Sequence, residues 1–320
     1  MKLCLRRRDR LPPMCYSALV YAEIRKLERT LGVRIDPDWY VEQFWIRKGK
    51  DPGKRPRMPR AVEREAMALA PASIAAAIAA ADQAEIDQLT QLVFAQRKRV
   101  ADAERSLQAR ETKKARDDIR IGTGKVEAAM RRLDELRAPT ADAGPGRIYP
   151  GYWCPVVIRE RGRYVARLMR YQCRLPDWTE AIERRYPGTY NARRDNLEKS
   201  WGKVFGHGHG VMVASAFYEH VDRGGQDQVL EFRPSDARDM IAACLWTRTT
   251  EADGSALYSF AAITDAPPAE VAAAGHDRCI VPIKAEHLEA WLTPDPGNLA
   301  ALYAILDDRE RPYYEHREAA

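Results

Sequence analysis

Cysteine is scarce in this chain, and no two cysteines form a Cys-x-x-Cys pair. Only six occur in 320 residues. Without such spacing, neither a zinc site nor a disulfide framework is expected, and no motif indicates a cofactor. Free cysteines are most often small buried hydrophobes, so we expect five of the six to be inert, with Cys15 as the exception. The six are Cys4, Cys15, Cys154, Cys173, Cys244 and Cys279.

Long apolar runs are also missing. No stretch approaches the roughly 18 apolar residues that span a bilayer, so no membrane attachment is expected. Residues 1–13 contain Arg6-Arg7-Arg8 but no apolar segment behind them, unlike a secretory signal. The expected compartment is the cytoplasm.

Two motifs with donor groups lack the context that a ligand site needs. His207-Gly208-His209 offers two histidines with no nearby Cys or Asp, which is too few for a metal. Gly122-Thr123-Gly124-Lys125 has neither the preceding strand nor the spacing of a phosphate loop. We interpret the first as a loop and the second as a turn between helices.

Basic residues are in modest excess. The chain has 52 Lys and Arg against 46 Asp and Glu, a net charge of +6 and a pI of about 9.0. This balance favours a polyanionic partner such as nucleic acid. A hydrophobic fraction of 45% is ordinary for a globular core.

Residues 61–137 have the composition of long helices. They are rich in Ala, Glu, Gln, Lys and Arg. Ile86, Val93, Val100 and Leu107 lie seven apart and predict a narrow apolar seam. A helical hairpin is therefore expected, inserted in the main domain, with a seam that is compatible with self-association or a protein partner.

The remainder predicts an α+β fold. Short apolar or alternating runs, bounded by Gly, Pro, Asp or Arg, are typical of a mostly antiparallel sheet. The predicted strand cores are 156–158, 164–168, 211–214, 229–232 and 256–260, and the predicted helices are 18–31, 178–185, 197–205 and 285–291. The expected domains are a leader at 1–13, the first part of the main domain at 14–60, the hairpin at 61–137, a linker at 138–147, the rest of the main domain at 148–306 and a tail at 307–320.

Cys15 directly follows Met14. A chain that began at Cys15 would carry an α-amine and a thiol on adjacent carbons, and such a 1,2-aminothiol condenses with an aldehyde to a thiazolidine. This chemistry needs an unblocked amine. The site is therefore expected only if translation starts at Met14 or the leader is removed, and the 320-residue form is expected to be inactive.

Four short motifs follow one another in a specific order. They are Met14-Cys15, Asn191-Ala192-Arg193, Phe217-Tyr218-Glu219 and His276-Asp277-Arg278. In this order and spacing the chain resembles the SOS response-associated peptidase (SRAP) family, the abasic-site processing proteins. The resemblance covers residues 14–40 and 148–294 and leaves out the hairpin. It implies an α+β fold with a mostly antiparallel, barrel-like sheet core and flanking helices around a basic channel for single-stranded DNA.

The resemblance also implies a reaction. Cys15 would form a thiazolidine with the ring-opened aldehyde of an abasic site, giving a DNA–protein cross-link in the DNA damage response, and abasic-site lyase activity is a further expectation. Asn191 would orient the amine and the sugar, Glu219 would move protons, and His276 would assist the opening of the sugar ring.

Elementary chemistry assigns similar roles. An α-amine with a pKa of about 8 and a thiol with a pKa of about 8.5 are mostly protonated at neutral pH, so the reaction needs a base and then an acid. Glu219 follows an apolar strand, and His276 belongs to a residue type that titrates near neutrality. Arg193 and Arg278 are natural phosphate contacts, and Arg170-Tyr171 offers a cation beside a stacking ring for a splayed DNA strand.

Two other functions are compatible with the sequence. One is a cysteine peptidase whose nucleophile, Cys15, cuts the Met14–Cys15 bond. The other is a non-catalytic scaffold that binds single-stranded nucleic acid and recruits a partner through the hairpin. The chain also departs from the family pattern, because Tyr16 and Ser17 stand where members carry Gly and Arg.

Overall fold

The computed structural model of the protein describes residues 17–20, 32–35, 57–63, 72–137 and 146–319. The chain divides into two compact units. The first contains Met1–Asp36, Arg57–Val62 and Pro145–Ala320, and the second contains Pro37–Pro56 and Glu63–Gly144.

The described strands are β1 Ser17–Val20, β2 Arg34–Ile35, β3 Gly146–Ile148, β4 Trp153–Glu160, β5 Arg163–Tyr171, β6 Asn191–Arg193, β7 His209–Arg223, β8 Gln226–Pro234, β9 Met240–Thr250, β10 Ala256–Asp265, β11 Cys279–Ile280 and β12 Tyr314–Glu318. The described α-helices are α1 Ala72–Ala109, α2 Lys113–Arg137, α3 Glu180–Arg185, α4 Leu197–Ser200, α5 Ala269–Ala273, α6 Leu288–Leu292 and α7 Leu299–Asp307.

Five strands of the first unit close into a barrel. β4 pairs with β5, β5 with β10, β10 with β9, β9 with β7, and β7 returns to β4. Only the β5–β10 pairing in this ring is parallel. β1 and β3 extend the sheet beyond β7, and β8 and β12 extend it on another side of the same strand. The expected α+β fold with a mostly antiparallel, barrel-like core is confirmed.

The barrel strands are apolar on both faces. In β4, Val156 and Ile158 belong to one buried cluster, while Val157 between them belongs to another. β10 repeats the pattern, with Phe260 on the first side and Ala261 on the second. A strand that is covered on both faces reads as a continuous apolar run, as at 156–158 and 211–214. All five predicted strand cores lie inside observed strands.

Residues 17–20 correct the prediction of a helix at 18–31. They form β1, which pairs antiparallel with β7 and with β3. Ala18 and Val20 point into the barrel cluster, whereas Leu19 packs with Tyr218 on the other face. Pairing with two neighbouring strands thus overrides the helical spacing of the apolar residues. The rest of the predicted helix lies outside the described residues.

The predicted helical hairpin is present as α1 and α2 in the second unit. Its seam contains Val93, Ala129 and Leu133 as buried members. The turn, however, lies at residues 110–112, and α2 runs through the glycines that were expected to form it. A Cβ on Gly122 would lie 2.6 Å from a methyl carbon of Val100. Gly122 therefore permits close packing of the two helices and does not form a turn.

The shorter helices agree with their predicted positions, with smaller bounds. α3 begins after Thr179, whose hydroxyl accepts a hydrogen bond from the N–H of Ile182 at 3.3 Å. α4 covers the start of the predicted 197–205 helix, and α6 follows a 3₁₀ turn at Ala285–His287. Residues 307–320, expected as a tail, contain β12. Within the described ranges, no helix is long and apolar enough to cross a bilayer.

Candidate functional site

A buried carboxyl–imidazole pair lies at the centre of the candidate site. Glu219 projects from β7 and His276 from the loop between α5 and β11. Oε2 of Glu219 lies 3.0 Å from Nε2 of His276, and both side chains have 0% exposure. Nδ1 of His276 lies 2.9 Å from the carbonyl oxygen of Arg278.

These contacts define the protons that the pair carries. A carbonyl oxygen only accepts, so Nδ1 of His276 is the donor to Arg278. Burial lowers the pKa of His276, which favours the neutral ring. A neutral ring with its proton on Nδ1 turns the lone pair of Nε2 toward Glu219. Nε2 of His276, as the acceptor nitrogen of the neutral ring, therefore faces Oε2 of Glu219 across 3.0 Å.

Cys15 and Tyr16 lie outside the described residues. The first described residue after them, Ser17, pairs with Tyr218 across β1 and β7. Tyr218 immediately precedes Glu219 in sequence. β1 therefore begins beside the strand that carries Glu219.

Asn191 lies next to the barrel wall. It begins β6, which runs parallel to β10, and it is 7% exposed. The hydroxyl of Tyr171 donates to Oδ1 of Asn191 at 3.3 Å. The Tyr171 ring is 2% exposed and stacks on Phe260 at 5.2 Å. A ring in this position is part of the core and has no open face for a DNA base, and its hydroxyl orients Asn191.

Arg193 and Arg278 form one group of charges with two aspartates. Arg278 binds Asp277 through Nε and Nη2 at 3.0 and 3.1 Å, and Arg193 binds Asp195 at 3.0 and 2.8 Å. The pairing with Arg278 lowers the pKa of Asp277, and the charge of Arg193 acts in the same direction. Arg193 is half exposed, whereas Arg278 is buried. Arg278 follows His276 by two residues in sequence, and the charge of Arg193 acts on Asp277 between them.

Arg170 is placed elsewhere. Its guanidinium binds the carboxylate of Glu183 on α3 and the carbonyl oxygen of Gln172 at 3.1 Å. Burial lowers the pKa of Arg170. Arg174 binds the other carboxylate oxygen of Glu183 at 2.8 Å. Arg170 is thus engaged in holding α3, and its contact with DNA stays a prediction.

A groove opens beside Asn191, and sequence reasoning missed it. Its volume is about 840 Å³, and its lining includes Trp178, Lys199 and Lys203. Trp178 packs against Tyr186 at 5.5 Å, and Tyr186 is 53% exposed. The sequence signal for this groove is Trp178, a large aromatic residue directly after Pro176-Asp177 in the segment between β5 and β6.

One known family matches most of the chain. The family described as SOS response associated peptidase (SRAP) matches residues 64–318. The chain belongs to the SRAP family. Membership associates this protein with DNA damage and the SOS response. No curated protein sequence matches the SRAP chain.

Three solved structures are similar to this SRAP chain at low identity. One is a protein from Bordetella bronchiseptica, 20% identical, covering 55% of this chain and 88% of its own, with a TM-score of 0.45. A Bacteroides thetaiotaomicron protein is 14% identical, with coverages of 55% and 78% and a TM-score of 0.46. A phage-related protein from Bordetella bronchiseptica is 18% identical, with coverages of 57% and 85% and a TM-score of 0.43.

The four described cysteines of the SRAP chain are buried, namely Cys154, Cys173, Cys244 and Cys279. Burial raises the pKa of each thiol, to about 12 for Cys173. Cys279 is close enough to Glu219 for the carboxyl charge to raise its pKa further. As protonated thiols these groups are poor nucleophiles, even the one beside the candidate pair.

His209 is a core residue of the SRAP chain. Its ring lies 4.1 Å from that of Trp291 and stacks on Phe205. Nε2 accepts the N–H of Gly206 at 2.9 Å. Burial lowers the pKa of His209 to about 3. The His-Gly-His motif thus ends at the start of β7 with a neutral, packed imidazole.

Proposed function

We propose that this chain captures abasic sites in single-stranded DNA by forming a thiazolidine with Cys15 when that residue is the first of the chain. The observation that carries the proposal is the Glu219–His276 pair, fully buried and 3.0 Å apart, with Glu219 on β7, the strand that β1 pairs with. A buried carboxyl beside an imidazole is typical of acid–base sites. SRAP membership supports a role in the processing of damaged DNA.

The reaction needs a proton taken up and a proton supplied. The α-amine of Cys15 loses a proton and attacks the aldehyde carbon of the opened sugar, giving a carbinolamine. Its hydroxyl takes a proton and leaves as water, which gives an iminium ion. The thiol sulfur then bonds to the same carbon and its proton returns to the base. The balance is amine, thiol and aldehyde to thiazolidine and water.

Glu219 is the group that we assign to this exchange. In this proposal Glu219 carries the proton that is exchanged, and His276, whose Nε2 lies 3.0 Å from Oε2 of Glu219, passes it on. His276 also suits protonation of the ring oxygen when the sugar opens. Asn191, held by Tyr171, is positioned to orient the amine or the sugar through its amide.

The groove beside Asn191 supports a nucleic-acid substrate. Single strands are bound by cationic grooves with aromatic rings on which bases stack. Trp178 supplies a ring in the lining and Tyr186 packs against it, and Lys199 and Lys203 supply the cations. Arg193, half exposed, is the expected phosphate contact on the neighbouring side.

A denaturing gel tests the proposal. Protein that starts at Cys15 is incubated with a single-stranded oligonucleotide containing one abasic site. We expect a shifted band that survives denaturant and that Cys15→Ala abolishes. The absence of this band, or an equal band with Cys15→Ala, would contradict the proposal. Shortened DNA in the same gel reports lyase activity.

A further inference from the structure

A half-buried arginine lies beside β1, outside the sequence motifs. Arg147 on β3 donates from Nε to Oγ of Ser17 at 2.8 Å. Its guanidinium carbon lies 3.7 Å from the ring centre of Tyr218 and 5.0 Å from that of Tyr149. Guanidinium groups stack on aromatic rings. Arg147 is therefore held in one orientation from two sides.

The terminal nitrogens of Arg147 make no ion pair with a carboxylate among the residues that the structure describes. Its neighbours differ in this respect, because Arg233 and Arg317 both bind Oε1 of Glu231, at 2.5 and 2.9 Å. Tyr218 donates its hydroxyl to the other oxygen of Glu231 at 2.7 Å.

The strand registers place these groups in one polar row. Ser17 pairs with Tyr218, Tyr218 with Glu231, and Glu231 with Arg317. Together with Arg147 and Arg233, the row contains three guanidinium groups against one carboxylate. An excess of fixed positive charge with unoccupied donors is the requirement for binding an anion.

We propose that Arg147 binds a phosphodiester group of single-stranded nucleic acid beside β1. The two terminal nitrogens of a guanidinium match two phosphate oxygens. Because the stack on Tyr218 and the bond to Ser17 already fix the Arg147 side chain, binding a phosphate costs little further side-chain entropy. Tyr218 precedes Glu219 in β7, so their side chains point to opposite faces of the strand, and the bound phosphate lies across β7 from the Glu219–His276 pair. This inference rests on the proposed function and adds a DNA contact to it.

The salt dependence of binding tests the contact. The full 320-residue chain is titrated with a fluorescent oligothymidylate that has no abasic site, in a series of KCl concentrations. Each phosphate contact contributes about 0.7 to the slope of log K against log salt for a single strand. We expect Arg147→Gln to lower the slope by about 0.7 and to weaken binding about 5-fold at low salt. Arg147→Lys keeps the charge, so its slope stays.

Two further variants separate the phosphate contact from other effects. Arg238→Gln removes an exposed arginine that pairs with Asp236, and we expect the unsubstituted slope. Ser17→Ala removes the bond to β1 but leaves the guanidinium, and we expect the slope to be kept. Thermal unfolding confirms that each variant is folded.

The outcomes distinguish this site from the proposed function. Equal slopes for Arg147→Gln and the unsubstituted chain overturn the phosphate contact alone. A slope that falls equally in Ser17→Ala assigns the effect to the anchoring of β1 and also overturns the contact. If the unsubstituted chain does not bind the oligonucleotide, the phosphate contact is overturned, whereas the proposed capture is tested separately by the denaturing gel with the chain that starts at Cys15.

Discussion

The barrel unit contains fully buried charged groups as well as exposed ion pairs, whereas the ion pairs described in the hairpin are all at least partly exposed. In the barrel unit, Glu219 and His276 pair with no exposure to solvent. In the hairpin, the ion pairs lie at the surface: Arg99 and Asp118 are 37% and 24% exposed, and Arg105 and Asp102 are 73% and 51% exposed. Charged groups thus lose their hydration in the barrel unit, which costs free energy, whereas those of the hairpin ion pairs stay hydrated.

The difference indicates where chemistry is expected. Burying an ionisable group costs several kcal/mol unless partners compensate, whereas an exposed ion pair contributes about 0–1 kcal/mol. A buried acid–base pair is therefore retained for what it does more than for stability. The four predictions below test this contrast.

Glu219→Gln carries the largest expected effect. The amide has nearly the size of the carboxyl and can donate to Nε2 of His276, so the fold is kept while the carboxyl group assigned to proton transfer is lost. Acid–base catalysis contributes about 10²–10⁴-fold, so we expect the rate of covalent capture to fall by about 10³-fold. A single-turnover time course on denaturing gels measures it.

Glu160→Gln is the matched control for that change. Glu160 pairs with Arg167 on the barrel strands β4 and β5, away from His276. We expect its capture rate to stay within about 3-fold of the unsubstituted rate. Similar losses in the two variants would show that the effect comes from carboxylate removal in general.

Glu183→Gln tests a second buried charge in the barrel unit. Glu183 is 3% exposed and binds both Arg170 and Arg174. Breaking a buried pair leaves an uncompensated charge, so we expect the free energy of unfolding in urea to fall by about 3 kcal/mol. Glu180→Gln, on the exposed face of α3, is expected to cost less than about 0.5 kcal/mol. Equal costs would show that burial does not set the difference.

His209 predicts a pH dependence that the hairpin does not share. Its folded pKa is about 3, and an unfolded histidine has a pKa of about 6.5. The unfolded chain therefore binds the extra proton first, and stability present above pH 6.5 is lost as the pH falls toward 3. We expect His209 to account for a loss of about 1.5–2 kcal/mol between pH 6.5 and pH 5. Residues 72–137 contain no histidine.

The measurement compares urea unfolding of the unsubstituted chain and His209→Gln at both pH values. The amide oxygen of Gln accepts the Gly206 N–H, so the variant keeps that bond without the titration. His207→Gln, at an exposed position, is expected to behave as the unsubstituted chain. An identical pH dependence of the unsubstituted chain and His209→Gln would remove His209 as the cause.

The sequence predicted the barrel better than the local chain path. Short apolar or alternating runs predicted four of the five barrel strands, β4, β5, β7 and β10, whereas β9 at Met240–Thr250 was not predicted. β1 was read as a helix because its apolar spacing is ambiguous over four residues and only its pairing with β7 decides. The hairpin turn was misplaced because Gly122 lies at the contact between the two helices. In a sequence, a glycine that permits close helix packing cannot be distinguished from one that forms a turn.

The candidate site was predictable as a set of residues but not as a geometry. Glu219 and His276 are 57 positions apart in sequence, and only the barrel brings them to 3.0 Å. Tyr171 was expected at the DNA surface, but its ring is buried. The sequence of a strand that is apolar on both faces does not show which side chains are in the core. Trp178 and Arg147 were missed because neither belongs to a motif.

Asp118→Asn in the hairpin carries the smallest expected effect. Nε and Nη2 of Arg99 donate to one oxygen of Asp118, at 3.1 and 2.5 Å, and both side chains are partly exposed. Solvent screens such a pair, so we expect the free energy of unfolding to fall by at most about 0.5 kcal/mol, and 1 M salt to remove the difference. The rate of covalent capture is expected to stay unchanged. A capture rate that falls with Asp118→Asn would break the contrast between the two units. It would show that the hairpin takes part in capture although its ion pairs are exposed.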